Sequence, residues 1–283
     1  MMHRFRSAGV KAKAVMPWTG MVALGCATTA TAAYSTPALA KAAPPLTPID
    51  RSTPEVTLYQ YEPCPYCCKT KAVLDFLKVP YNVVEVNPVT KKELKAITDY
   101  NKVPVAVVDG QVVPNSSDII SRLQSTSTFD PVTKDWNEWI DMKLVVLMPP
   151  NIYRTVPEAL QAFQYCLTEG NFTAWERRVS LYTGAAAMYV ISKRLKKKYG
   201  FDDERLALYE VTNGWVAAMD GKPFLGGDHP NLTDVSVFGV FRSIEGLDTF
   251  QDVMANTQLE PWFNRMANLV GASSRVETPK VTA

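Results

Sequence analysis

Three sulfurs crowd into five consecutive residues, Cys64-Pro65-Tyr66-Cys67-Cys68. The run before them, Val56-Thr57-Leu58-Tyr59-Gln60-Tyr61, has the composition of a strand, and the run after them, Lys69 to Lys78, has that of a helix. A Cys-x-x-Cys at such a junction places its first sulfur at a helix N-terminus, where unpaired backbone N–H groups and the helix dipole favour an anion. The thiolate is the reactive form of cysteine, so the chemistry expected is nucleophilic, centred on Cys64, with Cys67 as a second thiol one helical turn on. Cys68 turns to another side of the helix and is expected to pack.

The elements that must position these sulfurs alternate in type. Residues 81–86 read as a second strand, rich in Val and Tyr. Residues 90–100 read as a charged helix, with Thr90 as its cap and Glu93 completing a capping box. Residues 105–108 and 111–113 read as two strands joined through Asp109-Gly110, a hairpin turn. Ser116 or Ser117 opens a final helix through Leu123. The order over residues 54–125 is β-α-β-α-β-β-α. Residues 132–272 are almost wholly helical in pattern. A helix carrying Trp136 and Trp139 ends at Pro149-Pro150; others are expected over 156–167, 175–199, 204–219, 232–246 and 258–269. Asn231 followed by Asp234 offers a cap with an acid in the first turn. Gly184-Ala185-Ala186-Ala187 lets a neighbouring helix approach closely.

With 283 residues the chain is long enough for two modest domains or one domain with an extension. A net charge of +2 and the absence of a basic stripe argue against nucleic acid as partner, and the basic run Lys193 to Lys198 suits a helix end. Five cysteines, three of them clustered, do not form a disulfide framework. Zinc needs two more ligands, and His3 and His229 are the only histidines, so no metal is expected. Residues 1–49 contain no Asp or Glu but are basic and rich in Ala, Ser and Thr, the composition of a leader directing a protein to mitochondria or another organelle. A second reading makes residues 14–33 a membrane anchor, although Pro17, Gly20 and Gly25 dilute its apolarity.

The element order and the Cys-x-x-Cys together resemble the thioredoxin-like fold, and Cys64-Pro65-Tyr66-Cys67 resembles a glutaredoxin active site. Val103-Pro104 resembles the cis-proline of that fold, where the preceding residue pairs its backbone with glutathione. Asn115-Ser116-Ser117-Asp118 resembles the family's acidic-Ser motif for the γ-glutamyl end of glutathione, with Asn115 standing where an acid is usual. A helical half following such a domain is the architecture of glutathione transferases. Leu58-Tyr59-Gln60-Tyr61, Val84-Glu85-Val86-Asn87-Pro88, Pro150-Asn151-Ile152-Tyr153-Arg154-Thr155, Gly184-Ala185-Ala186-Ala187-Met188-Tyr189 and Glu245-Gly246-Leu247-Asp248 resemble the second, glutaredoxin-like type of membrane-associated prostaglandin E synthase.

The resemblance implies an α/β thioredoxin-like (glutaredoxin-like) N-terminal domain followed by an all-α helical domain of the glutathione transferase type. It implies isomerisation of prostaglandin H2, a small lipid endoperoxide, to prostaglandin E2, with Cys64 as catalytic nucleophile and Tyr61 and Tyr66 beside it. Cys67 enters as a resolving thiol that the isomerisation does not require. Glutathione is the implied cofactor, held by Val103, Pro104, Asn115 and Ser116. The resemblance also allows membrane association, a homodimer, and haem bound together with glutathione. Val146 and Pro149 occupy the places where mammalian members carry a His and a Ser near the haem, which counts against it. Two other functions use the same residues: a glutathione-dependent thiol-disulfide oxidoreductase with Cys64 and Cys67 as its pair, and a non-enzymatic glutathione- or haem-binding module.

Overall fold

Alternating burial along strand β1 (Val56–Gln60) puts Val56, Leu58 and Gln60 on a fully buried face and Thr57 and Tyr59 on a half-buried one. The computed structural model describes residues 53–124, 130 and 132–276. The expected leader, both targeting readings and Cys26 lie outside the described residues. Helix α1 (Pro65–Phe76) follows β1, then β2 (Tyr81–Glu85), α2 (Lys92–Lys95), β3 (Val105–Val108), β4 (Gln111–Pro114) and α3 (Ser116–Gln124). The sheet order is β2-β1-β3-β4, with β1 and β2 parallel and the other pairs antiparallel. This is the expected thioredoxin-like layer. The edge of β2 is covered by residues 274–276: Tyr81 N–H donates to Ser274 O at 3.2 Å and Val276 N–H to Tyr81 O at 2.8 Å.

Two expectations in this half are corrected. The helix over 90–100 shrinks to Lys92–Lys95, and Thr90 does not cap it. The Asn87 side chain accepts from the Val89 and Thr90 amides, both at 3.0 Å, so an Asx turn consumes the residues that would have begun the helix. Glu93 instead accepts from Asn87 N–H at 2.9 Å. Likewise neither Ser116 nor Ser117 caps α3. Asn115, at φ 54°, takes that role by accepting from Asp118 N–H at 2.9 Å, and Asn is among the few residues at ease in that left-handed conformation.

The helical half runs α4 (Lys134–Trp139), a π-helical turn Ile140–Leu144, a 3₁₀ turn Val145–Leu147, α5 (Met148–Ile152), α6 (Val156–Phe163) with a 3₁₀ turn Gln164–Leu167, α7 (Ala174–Tyr199), α8 (Glu204–Ala218), α9 (Leu232–Arg242), α10 (Asp248–Asn256) and α11 (Glu260–Val270). Pro149-Pro150 does not stop its helix. The change of pitch places both prolines in the first turn of α5, where missing N–H groups leave little unsatisfied, and Asn151 Nδ2 covers the Leu147 carbonyl at 2.9 Å. The helix expected over 232–246 ends at Arg242, turns lead through Gly246 at φ 85°, and α10 is an additional helix. Trp136, Trp139, Trp215 and Trp262 form an aromatic core, with Trp215 5.5 Å from Trp136 and 5.2 Å from Trp262 between ring centroids.

The two halves meet where α9 lies on α1. A Cβ built on Gly239 of α9 would stand 2.6 Å from the Cys68 carbonyl oxygen and 2.6 Å from Lys69 Cα, so the backbones touch directly behind the cysteine motif. Gly239→Ala is expected to cost about 1–3 kcal/mol because the obstacle is main chain and cannot rotate aside; chemical denaturation of the two proteins side by side measures it. The close approach expected from Gly184 is also present: a Cβ there would run into the Phe163 ring of α6. Among the described residues no helix is long and apolar enough to cross a membrane.

Candidate functional site

Strand register brings the singled-out residues to one end of the sheet. Tyr59, near the end of β1, pairs with Val105 at the start of β3, and Val105 pairs with Pro114 at the end of β4. Tyr61 through Cys64, Val103-Pro104 and Asn115-Ser116 are therefore adjacent extensions of three neighbouring strands. Tyr61 and Val103 pack on the same small apolar cluster, with Val86, Leu94 and Val105 at its centre. The Val103–Pro104 peptide is cis. Ser116 is buried, and the neighbouring Asp118 carboxylate, on the surface, receives a hydrogen bond from Asn115 Nδ2 at 2.6 Å. Asp118 thus places an acid one turn from the position where Asn115 lacks one.

Cys64 stands immediately before α1 with extended backbone, and Pro65 occupies the first helical position. Among the described cysteines Cys64 is the one with solvent access; Cys67, Cys68 and Cys166 are buried. The Cys64 thiol lies below the ordinary thiol range. The largest cause is a hydrogen bond from the Cys67 thiol, and the backbone N–H groups of Cys67 and Tyr66 and the charge of Lys71 add to it against the opposing effect of burial. Cys67 moves the other way, pushed far up by burial and by its bond to Cys64. The pair is polarised into one sulfur that ionises and one that stays a donor. Cys68 is pushed up to about 11 by burial, and its Sγ donates to Glu62 O at 3.2 Å, the packing role expected of it.

Tyrosines surround the sulfur. Burial, then the charges of Cys64 and Cys67, raises Tyr61; burial, then Asp141, raises Tyr66. Both hydroxyls remain protonated donors at neutral pH. Tyr66 also lies under Lys69 Nζ, 5.8 Å from the ring centroid, and Lys69 reaches Asp141 of the π-helical turn at 3.0 Å, joining α1 to the helical half.

A glutathione S-transferase N-terminal domain model matches residues 58–128. Prostaglandin E synthase 2 of Mus musculus is 39% identical over 271 residues, covering 76% of this chain and 70% of the mouse protein. The protein of the same name from Danio rerio is 39% identical over 265 residues, covering 75% and 70%. This chain belongs to the prostaglandin E synthase 2 family. Solved structures agree on the fold. The beta-etherase LigF from Sphingobium sp. strain SYK-6 superposes with a TM-score of 0.53 at 17% identity, covering 75% of this chain and 94% of its own. Glutathione S-transferase III in its apo form gives 0.50 at 14% identity, covering 80% and 100%. The fold is thus a thioredoxin-like domain followed by a helical domain of the glutathione transferase type.

Several members of the site were not singled out from the sequence. Tyr153 lay within a quoted family motif but had no role assigned. It is buried against Phe163, 5.8 Å between centroids, and burial, then Cys64, raises its hydroxyl. Glu62, Lys71 and Glu85 form a polar cluster behind Cys64 that no local motif announces. Val146, in the 3₁₀ turn, and Pro149, in α5, carry no donor atom for a haem iron, and His229, the one histidine among the described residues, lines a surface pocket with Phe224, Pro230 and Arg265. No group of metal-binding side chains occurs among the described residues.

Proposed function

We propose that this protein isomerises prostaglandin H2 to prostaglandin E2 through the Cys64 thiolate, with glutathione bound beside it. The observation that carries the reading is the polarised Cys64–Cys67 pair at the N-terminus of α1, in a member of the prostaglandin E synthase 2 family. The thiolate attacks one oxygen of the endoperoxide. An S–O bond forms, the weak O–O bond breaks, and the second oxygen leaves as an alkoxide. Tyr61 or Tyr66, both held as neutral donors, supplies its proton. A base then removes the hydrogen on the carbon bearing the sulfur-bound oxygen. The C–H electron pair becomes the carbonyl π bond, and the S–O pair returns to Cys64 as thiolate. Oxidation at one ring carbon balances reduction at the other oxygen, so no external electrons are needed.

For glutathione, the Val103 backbone before cis-Pro104 offers main-chain pairing. Ser116 and the free N–H groups opening α3 suit the γ-glutamyl carboxylate, and Asp118, steadied by Asn115, suits its ammonium group. When bound, glutathione supplies a second thiol beside Cys64.

The test is purified protein assayed with and without glutathione, on prostaglandin H2 and on a glutathione mixed disulfide, as wild type and as Cys67→Ser. Serine retains a hydroxyl donor for Cys64, so Cys67→Ser is expected to keep isomerase activity within about tenfold while losing dithiol-dependent disulfide reduction. Turnover of the mixed disulfide alone would remove the isomerase reading in favour of thiol-disulfide exchange.

A further inference from the structure

Residues 64, 67, 68 and 71 recur at helical spacing, so Cys67, Cys68 and Lys71 follow Cys64 along one stripe of α1, and Cys68 does not turn to another side as expected. Lys71 is 5% exposed, a burial that a lysine accepts only with partners. Its ammonium donates to Glu62 Oε1 at 2.8 Å and to the Glu62 carbonyl at 3.5 Å, an oxygen that Cys68 Sγ also engages. Glu62 is the residue through which the chain turns from β1 to the sulfur, a turn closed by Cys64 N–H donating to Tyr61 O at 3.1 Å. The other side of the same residue is tied down too. Glu62 N–H donates to Glu85 Oε1 at 2.9 Å, and Gln60 Nε2 bridges the Glu62 and Glu85 carboxyl groups.

We propose that Lys71 is a positioning residue for Cys64: it clamps Glu62, and with it the turn that presents the thiol, and it is the buried cation on the sulfur-bearing stripe of α1. The charges around it support this assignment. Burial works against the Lys71 ammonium, but Cys68 and the Glu62 carboxylate outweigh it, so its proton is held more tightly than in a free lysine. Burial likewise opposes ionisation of Glu62, and Lys71 reverses the balance. Glu85, facing them from β2, is pushed up to about 8 by burial and then by Glu62, so at neutral pH the cluster holds one carboxylate opposite Lys71. Other groups facing the cluster are Tyr81 of β2, Arg242 of α9, which acts on Cys68, Arg275, 3.9 Å from Glu62, and Tyr61, Tyr165 and Cys166, which face Glu85. Cys64 itself faces Tyr61, Tyr66 and Cys67, and Tyr153 at the end of α5. The charge of Lys71 adds to the lowering of the Cys64 thiol, after the hydrogen bonds from Cys67 and Tyr66.

The inference rests on Cys64 being the nucleophile, but on neither of its substrates. It is tested by the pH dependence of carbamidomethylation at Cys64, resolved from the other cysteines by peptide mass spectrometry, in wild type, Lys71→Met and Lys71→Arg. Lys71→Met is expected to raise the labelling midpoint by about 0.5–1 pH unit and to slow labelling at pH 7 about three- to tenfold. Lys71→Arg is expected to restore the midpoint. A lowered melting temperature with an unchanged midpoint in Lys71→Met would overturn the proposal, since a purely structural lysine predicts that result. If Lys71→Met does not fold, Lys71→Gln, which keeps an N–H donor for Glu62, gives the same reading; failure of both neutral variants to fold beside a folded Lys71→Arg also overturns it. Because labelling reports on the sulfur itself, a protein with no isomerase activity whose midpoint still follows Lys71 refutes the proposed function and leaves this inference standing.

Discussion

Cys64→Ser is expected to lower kcat/KM for prostaglandin H2 by at least about 10³-fold, or more than about 4 kcal/mol of transition-state stabilisation. The hydroxyl would occupy the same place among the Cys67 and Tyr66 N–H groups and the Cys67 thiol. Those donors lower a thiol from a range already near neutrality; they cannot bring an alcohol down to it. The fold should survive, because Cys64 is solvent-accessible and only one atom changes. Retained glutathione binding and melting temperature, measured on the same preparation, separate a chemical loss from a structural one. The wild-type pH profile carries the same information. A depressed thiol is ionised above its pKa and reprotonated below it, so kcat/KM should fall as pH drops through a value below that of a free cysteine. Tyr61 and Tyr66 are both raised, so neither contributes a limb near neutrality. Residual activity of Cys64→Ser above one part in a hundred would transfer the chemistry to bound glutathione and leave Cys64 as an accessory.

The second large effect is on stability. Asp234 is buried at the start of α9 and accepts from the amides of Leu225, Gly226 and Asn231 at 2.9, 3.1 and 3.1 Å, and from Trp262 Nε1 at 3.2 Å. Asn231 returns the interaction by accepting from Asp234 N–H at 3.1 Å, a reciprocal capping box. Asp234→Ala strands four donors at once. At about 1–3 kcal/mol for each buried donor left unmade, with partial relaxation, the cost is about 4 kcal/mol, or about 10 °C in melting temperature for a unit of this size. The effect reaches the site because α9, which Asp234 anchors, is the helix whose Gly239 backbone rests on Cys68 and Lys69. Thermal inactivation of the isomerase should therefore track unfolding in Asp234→Ala. A shift of less than 2 °C would mean that the loop 225–231 finds other acceptors.

Local chemistry was legible in the sequence. Cys-x-x-Cys between a strand and a helix announced an activated thiol, Asp109-Gly110 announced the hairpin, and Asn231 with Asp234 announced a cap; each depends on residues within a few positions of one another. Errors arose where a side chain competed with the regular backbone. Asn87 took the amides expected of a helix, Asn115 displaced Ser116 as the cap of α3, and a π-helical turn carried the chain through Pro149-Pro150. The thioredoxin-like half followed by the helical half was readable because element order and family motifs both lie along the chain.

What this sequence determined by itself was the candidate thiol and the frame around it: Cys64 at a helix start, with Val103-Pro104 and Asn115-Ser116 returning from the strands beside it. The tertiary structure decided which charges surround that thiol. Glu62, Lys71 and Glu85 are 9 to 23 positions apart in pairs that meet only when β2 lies against β1 and α1 packs over both. Whether a carboxyl is ionised, or a lysine can be buried, depends on desolvation and on the nearest opposite charge. Both are properties of the space that packed elements enclose, and spacing along the chain does not encode them.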